Sequence, residues 1–342
     1  RRGGLASATI VGCAGFAAMS GSSIASAVTM GRVAIPEMKR YNYDDSLATG
    51  AVAAGGTLGI LIPPSTGMII FAILTEQSIG RLFMAGVLPG LLLTALFLIA
   101  IYIVTRRRPE AGPPGPKADL AQRLATLKQA SAIVGIVAVT IGGIYLGVFT
   151  PVEAAGVGAF LTLVISFARG ALDRQKLQFV ILQTLQTTAT VFMILIGAFV
   201  FIPFMALTQI PSNLVTFLVG LDVGQLGVLI IILVTYIALG TFLEGLAMLV
   251  LTLHITFPVI VAMGLDPIWF GVVVVIVLEM GLISPPVGVN VFVVKSVAPD
   301  VPMGTIFRGI WPFWLAMGVC LVFLVAFPQI ALWLPNTMFG GG

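Results

Sequence analysis

Two proline pairs, Pro63-Pro64 and Pro285-Pro286, interrupt otherwise apolar sequence. Proline removes a backbone donor and disfavours helix at the preceding residue, so an apolar helix must break at each pair. The pairs are 222 residues apart, and other helix breakers keep that offset, namely Pro36 with Pro258 and Gly59 with Gly281. Shared breakers at one offset indicate a long internal repeat.

The apolar character of the chain excludes a water-soluble fold. Of 342 residues, 59% are hydrophobic and 9% are charged, whereas soluble domains carry about 25% charged residues. Cys13 and Cys320 both lie in apolar runs and His254 is the single histidine, so neither a disulfide framework nor a cysteine or histidine metal site is indicated. The net charge of +4 is attributed to Lys and Arg in cytoplasmic loops, which orient a membrane protein, and no nucleic-acid partner is expected.

The apolar runs have two lengths. Five are long enough for ordinary crossing helices: residues 82–104, 132–149, 152–168, 187–205 and 306–332. The shorter runs form two interrupted pairs in each half. These pairs are a hairpin at 5–38 with a broken helix at 46–76, and a hairpin at 225–258 with a broken helix at 267–297. The hairpin arms at 24–35 and 246–255 are predicted to be too short to cross a bilayer alone.

The distribution of Lys and Arg indicates which interrupted pairs re-enter the membrane and which cross it. If the first pair in each half re-enters and the second crosses, 16 of the 17 Lys and Arg residues share one side, and Arg81 stands alone opposite. The basic side should be the cytoplasm. Five crossings then separate the two repeats, so the repeats are inverted. Inverted repeats with broken helices at the midplane are typical of secondary transporters.

The predicted fold is therefore an all-α polytopic membrane protein with inverted repeats, each with a re-entrant hairpin and a discontinuous helix. The predicted parts are a transport domain at 1–78 and 211–300, scaffold helices at 79–105, 131–210 and 301–342, and a cytoplasmic linker at 106–130 that carries a surface helix at 118–129.

The breaks are candidate ion sites because backbone carbonyls freed from helical bonding can bind a hard cation such as sodium. Nearby hydroxyls could complete such a shell, those of Ser20, Ser22, Ser23, Thr241 and Ser284. The alternative is that each break is a packing kink whose serines satisfy helix ends.

Polar residues within apolar segments have open roles. Glu153 follows Thr150-Pro151 as the closing residue of a capping box, which favours a structural role. Glu244 lies at a hairpin tip and could be functional or structural. Glu279 could relay protons, and Asn290 could donate to a carboxylate substrate or form an interhelical hydrogen bond.

Several motifs together resemble the large membrane subunit of tripartite ATP-independent periplasmic (TRAP) transporters, over essentially the whole chain. They are Arg2-Gly3-Gly4-Leu5, Ser20-Gly21-Ser22-Ser23, Gly59-Ile60-Leu61-Ile62-Pro63-Pro64-Ser65, Thr150-Pro151-Val152-Glu153-Ala154-Ala155, Phe270-Gly271 and Gly281-Leu282-Ile283-Ser284-Pro285-Pro286-Val287-Gly288. Subunits of that family begin with further helices upstream, so this sequence is expected to lack an N-terminal part.

The resemblance implies a sodium-driven elevator carrier in the bacterial inner membrane that imports small organic acids such as C4-dicarboxylates or sialic acid. Sodium would be the coupling ion, with no other cofactor. The implied partners are a periplasmic substrate-binding protein and a small four-helix membrane subunit.

The resemblance also implies site residues. The first sodium site would use Ser20, Ser22, Gly59, Ile62 and Pro64. The second would use Gly240, Thr241, Gly281, Ser284 and Pro286. The candidate substrate contacts are Ser23, Ser65, Glu244 and Asn290.

Other functions remain as alternatives. One is a single-component sodium- or proton-coupled carboxylate carrier of the same superfamily. An intramembrane hydrolase could use Ser22, His254 and Glu244, although no spacing brings a base to the serine. A channel is disfavoured because paired mid-membrane breaks suit alternating access better than a continuous pore.

Overall fold

The computed structural model describes residues 2–115, 120–220 and 223–338, and within them the chain is all helical, as the sequence predicts. The α-helices are α1 Gly4–Ser20, α2 Ser23–Arg40, α3 Asp45–Leu61, α4 Thr66–Thr75, α5 Ile79–Arg107, α6 Leu120–Tyr145, α7 Pro151–Ala168, α8 Arg174–Thr208, α9 Ile210–Gly220, α10 Gly224–Gly240, α11 Gly245–Ala262, α12 Pro267–Leu282, α13 Val289–Val297, α14 Met303–Ala326 and α15 Gln329–Met338. A short 3₁₀ helix, Pro109–Ala111, follows α5.

Four connections interrupt the helices at the predicted places. The first hairpin (α1 and α2) turns at Gly21, whose φ of 60° suits glycine. The first break separates α3 from α4, the second hairpin is α10 with α11, and the second break separates α12 from α13. The Pro63-Pro64 and Pro285-Pro286 peptide bonds are both cis. The interrupted pairs are therefore present as secondary structure.

The hairpin arms are longer than the sequence analysis predicts. Pro36 and Pro258 lie inside α2 and α11, each 18 residues long, which corresponds to about 27 Å. A proline inside a helix removes one hydrogen bond and kinks the helix, and here the remaining bonds carry the helix past it. The expectation that the arms 24–35 and 246–255 are too short to cross is corrected for α11, which is long and apolar enough to span a membrane.

Three other boundaries differ from the prediction. The surface helix predicted at 118–129 is continuous with the next helix as α6, because neither glycine nor proline occurs between Leu120 and Val134; residues 116–119 lie outside the described residues. Helix α8 begins at Arg174 instead of residue 187, since its polar first turns contain adequate helix formers. The helix predicted at 306–332 is divided at Phe327, the residue before Pro328.

The chain is a multi-pass membrane protein. Six segments of the described residues are long and apolar enough to span a bilayer, namely Asp45–Thr75, Ile79–Arg107, Pro151–Ala168, Arg174–Met205, Gly245–Ala262 and Met303–Ala326. Helices α7 and α8 expose large apolar side chains such as Phe160, Phe192 and Val200. Such a surface suits lipid or another membrane chain.

Several loops that the charge analysis places on one side of the membrane are in contact with each other. The N–H of Gly3 donates to Gly112 O at 2.9 Å and that of Asp44 to Ala111 O at 3.0 Å. Lys39 forms an ion pair with Asp300 and lowers the pKa of that carboxyl group. The loops after α2, α5 and α13 therefore meet at one end of the bundle, next to basic residues assigned to one side.

The broken helices form the centre of the core. Every residue from Leu47 to Leu61 in α3 and from Ile268 to Leu282 in α12 is buried. Helix α14 crosses α3 so closely that a Cβ on Gly309 would collide with Ser46 O. Helices α5 and α14 belong to this same apolar core. Ile144 of α6 and Ala154 of α7 belong to it as well, and the assignment of 79–105 and 301–342 to a scaffold stays a prediction.

Candidate functional site

The tip of the first hairpin lies directly on the first break. A Cβ on Gly21 would stand 2.8 Å from Pro64 O, and one on Gly59 would stand 2.5 Å from Ser22 O. The backbone N–H and the hydroxyl of Thr66 both donate to Gly21 O, at 3.3 and 2.8 Å. Main-chain oxygens from distant parts of the chain therefore converge here, and only glycine permits the approach.

Hydroxyl groups surround this junction. Ser20 Oγ and Ser26 Oγ are 2.9 Å apart, and a Cβ on Gly59 would lie 2.6 Å from Ser26 Oγ. Ser22 Oγ caps α2 by accepting from the Ala25 N–H at 3.3 Å, so this hydroxyl has the structural role left open by the sequence. Ser26 was missed by the sequence analysis, although it lies one helical turn after Ser22.

Ile62 takes part in the first break through its backbone. Its N–H continues the α3 ladder to Leu58 O at 3.0 Å, and its side chain packs where a Cβ on Gly90 of α5 would be. A ligand role for Ile62 would therefore fall to its carbonyl oxygen.

The second hairpin meets the second break in a similar way. The N–H of Gly288 donates to Thr241 O at 3.3 Å. A Cβ on Gly281 would lie 2.7 Å from Gly240 Cα. Each of the two hairpin tips thus lies on one of the two breaks, and we call each such contact a junction.

A cavity of about 290 Å³ opens beside the second junction, and its walls include Thr241, Ser284 and Pro285. Ser284 Oγ donates to Met280 O at 2.5 Å and accepts from Trp314 Nε1 at 2.9 Å. Thr241 Oγ1 donates to Ala238 O at 2.7 Å. Both hydroxyls direct their protons to helix carbonyls, which leaves oxygen lone pairs available to a cation.

Pro286 lies within the second break and is exposed. The five residues predicted for the second site therefore have three kinds of position. Gly240 and Gly281 are in backbone contact, Thr241 and Ser284 line the cavity with their hydroxyls, and Pro286 lies in the break itself.

Three of the four candidate substrate residues are buried in this conformation. Ser23 is 3% exposed, and Ser65 and Asn290 are fully enclosed. Ser65 caps α4 through the Met68 N–H at 3.2 Å, and its hydroxyl donates to Ile60 O. Glu244 is exposed, and its carboxylate accepts from the N–H groups of Leu246 and Ala247 at 3.0 and 3.1 Å. Glu244 thus caps α11.

Glu279 and Asn290 form a buried polar pair between α12 and α13. Asn290 Nδ2 donates to Glu279 Oε2 at 3.4 Å, while Glu279 Oε1 and Asn290 Oδ1 have no partner in the described part of the chain. The interhelical hydrogen bond considered for Asn290 is therefore present.

Two other sequence hypotheses are answered by local hydrogen bonds. Thr150 and Glu153 form the predicted capping box. The Thr150 N–H donates to Glu153 Oε2 at 2.8 Å, and the Glu153 N–H donates to Thr150 Oγ1 at 3.3 Å. His254 Nδ1 pairs with Val250 O at 3.0 Å. Ser22 and Glu244 each cap a helix, so among the described residues no hydrogen bond assembles Ser22, His254 and Glu244 for hydrolysis.

Comparison with known proteins gives a match over nearly the whole chain. A family model described as the tripartite ATP-independent periplasmic transporter, DctM component, matches residues 1–330. The C4-dicarboxylate TRAP transporter large permease protein DctM of Pseudomonas aeruginosa is 36% identical over 98% of this chain and 78% of its own length. The sialic acid TRAP transporter large permease protein SiaM of Vibrio cholerae is 34% identical over 96% of this chain and 76% of its own. The isethionate TRAP transporter permease protein DctMQ of Oleidesulfovibrio alaskensis is 35% identical over 86% and 47%.

Proposed function

Because the chain belongs to the DctM family of tripartite ATP-independent periplasmic transporters, we propose that it is the large membrane subunit of a secondary active importer in the bacterial inner membrane. The relatives are transporter permeases, and we assign this chain the same class instead of an enzymatic one. Its cargo is a small organic acid, in the class of C4-dicarboxylates or sialic acid.

Sodium drives the uptake and binds at the two junctions. A broken helix leaves carbonyls without intrahelical partners, and such carbonyls coordinate sodium in other transporters with discontinuous helices. The first site comprises Ser20, Ser22, Gly59, Ile62 and Pro64. The second comprises Gly240, Thr241, Gly281, Ser284 and Pro286. Glycines at Gly59 and Gly281 support this assignment because they let two main chains approach closely.

The carboxylate of the substrate binds on the side of the first hairpin. Helix N-termini favour anions, and α2 and α11 both begin at hairpin tips. The cap of α11 is the Glu244 carboxylate, which already offsets the positive end of that helix, whereas α2 is capped by the neutral Ser22. Ser23, Ser65 and Asn290 contact the substrate only after the tips part from the breaks.

Transport proceeds by an elevator movement of a rigid body. That body consists of α1–α5 and α10–α15, because α3 and α14 are in backbone contact at Gly50 and Gly309 and have no room to slide past each other. Helices α6–α9 form the scaffold. Helix α8 meets that body in a small cluster of Leu195 and Ala198 with Ile70 and Val250. Ile144 of α6 and Ala154 of α7 also belong to its apolar core, and Leu214 and Val215 of α9 pack against it.

Two further proteins complete the importer. A periplasmic binding protein delivers the substrate. A small four-helix membrane subunit packs on the exposed apolar side chains of α7 and α8, such as Phe160 and Phe192, which otherwise face the lipid bilayer.

The observation that carries this proposal is the pair of hairpin-to-break junctions in a chain of this family. Its test is reconstitution into liposomes with the small subunit and the binding protein, followed by uptake of labelled C4-dicarboxylate or sialic acid. We expect uptake that requires an inward sodium gradient and both partners. Uptake without the partners would instead support a single-component carrier.

A further inference from the structure

Trp314 of α14 is hydrogen-bonded to a residue of the second break. Its indole N–H donates to Ser284 Oγ at 2.9 Å, across 30 residues of sequence. Ser284 is buried at 5% exposure, and both residues line the cavity beside Thr241. A helix outside the breaks therefore holds a hydroxyl that faces the proposed ion site.

The first half has no counterpart to this pair. The 222-residue offset places Ile62 opposite Ser284, and the 223-residue offset of the Gly-x-x-Pro motifs at Gly86 and Gly309 places Leu91 opposite Trp314. Neither Ile62 nor Leu91 has a polar side chain. The interaction therefore distinguishes the second junction from the first.

The donor and acceptor directions at Ser284 define what the hydroxyl can offer. Its one proton points to Met280 O at 2.5 Å, and one lone pair accepts from the Trp314 N–H. A hydroxyl oxygen has two lone pairs, so one remains. Without Trp314 the second lone pair has no donor, so the direction of the lone pair that is left for a cation is no longer fixed.

We propose that Trp314 is a positioning residue for sodium at the second break, which holds the Ser284 hydroxyl with its free lone pair directed to the ion. This inference rests on the proposed function. It makes the two sodium sites unequal, because the second depends on a side chain from α14 and the first does not.

The test compares Trp314→Phe with Trp311→Phe in the reconstituted complex. Phenylalanine keeps an aromatic ring at this position but has no N–H. Trp311 lies on the same helix and the same cavity wall and is 51% exposed. Its ring contacts that of Trp314, with centroids 5.7 Å apart, but its indole N–H makes no hydrogen bond within the described residues, so Trp311→Phe controls for the loss of indole packing alone. The sodium dependence of the initial uptake rate is measured for both variants, for Ser284→Ala and for the Trp314→Phe, Ser284→Ala double variant.

We expect Trp314→Phe to raise the half-saturating sodium concentration by roughly two- to ten-fold, the cost of ordering one free side chain. The rate at saturating sodium and the thermal stability should stay near those of Trp311→Phe. In the Ser284→Ala background the effect of Trp314→Phe should vanish, because the two side chains act as a pair.

A fluorescence titration covers the case in which Trp314→Phe does not fold. In the Trp311→Phe protein, sodium should shift the tryptophan emission, and Ser284→Ala should abolish that shift. Equal sodium dependence in Trp314→Phe and Trp311→Phe, or an emission that sodium leaves unchanged, would overturn the inference. Wild-type uptake that ignores sodium would instead refute the proposed function.

Discussion

The backbone N–H of Gly288 donates to the carbonyl oxygen of Thr241 at 3.3 Å. In the first half, the N–H of Thr66 donates to Gly21 O at the same distance, and Thr66 precedes Gly288 by the 222-residue offset of the proline pairs. Each hairpin tip is thus held on its neighbouring break by an equivalent main-chain bond. A cation bound by carbonyls at either junction would respond to any movement of the tip.

The close approach at Gly59 predicts that even one methyl group disturbs the first junction. In Gly59→Ala the new Cβ would lie 2.5 Å from Ser22 O, and such overpacking costs about 1–3 kcal/mol. We expect weaker sodium dependence of uptake and a lower melting temperature in detergent. Gly67→Ala is the matched control, because the three atoms nearest its Cβ would all belong to the Ile60 side chain, at ordinary contact distances from 3.6 Å. Identical behaviour of the two variants would argue against a tight junction.

The capping role of Glu244 predicts different results for two substitutions. Glu244→Gln keeps a side-chain oxygen for the N–H groups of Leu246 and Ala247 but removes the charge, so uptake should continue with unchanged sodium dependence. Glu244→Ala loses the cap, at about 1 kcal/mol, and should lower thermal stability. Uptake assays and melting curves of both variants test this. If Glu244→Gln abolished uptake, the carboxylate would have a role in transport beyond capping.

The loop contacts predict that the two ends of the bundle lie on opposite sides of the membrane. Single cysteines at Pro114 and Thr337, both exposed, are placed for labelling; the native Cys13 and Cys320 are buried. A membrane-impermeant maleimide added to intact spheroplasts should label Thr337→Cys, whereas Pro114→Cys should react only after the membrane is opened. Labelling of both in intact spheroplasts would overturn the charge-based topology.

The contact between α8 and α11 predicts where a crosslink should stop movement. Ala198 and Val250 belong to one buried cluster at that contact. In the double variant Ala198→Cys, Val250→Cys, a crosslink should arrest uptake while sodium binding stays measurable, and reduction should restore uptake. Each single variant with the same reagent is the control. Uptake at the normal rate with the crosslink complete would exclude relative movement of these two helices during transport.

The helix breaks could be predicted from sequence because proline pairs and glycines act locally. The chain cannot form an uninterrupted helix through Pro63-Pro64, whatever surrounds it. The capping box of Glu153 was predicted for the same reason, since its partners lie within one turn. The division at Pro328 also had such a local signal, which the sequence analysis did not use.

The packing of α14 on α3 could not be predicted, because it depends on Gly50 and Gly309, two glycines 259 residues apart in the sequence. A glycine inside an apolar helix gives no sequence pattern from which its contact partner could be predicted. Pro36 and Pro258 show the converse, since each resembles a helix end but lies within a helix. The Trp314 to Ser284 hydrogen bond is likewise a consequence of helix packing and not of spacing.

If sodium bound at the two junctions drives uptake, sodium and substrate must enter together, and both fluxes can be counted in the same vesicles. Proteoliposomes with the complete importer receive sodium-22 and labelled substrate together, with no proton gradient. We expect sodium to enter with the substrate in a fixed ratio above one, and this ratio to fall in Gly59→Ala but not in Gly67→Ala. Substrate accumulation with no accompanying sodium influx would contradict it.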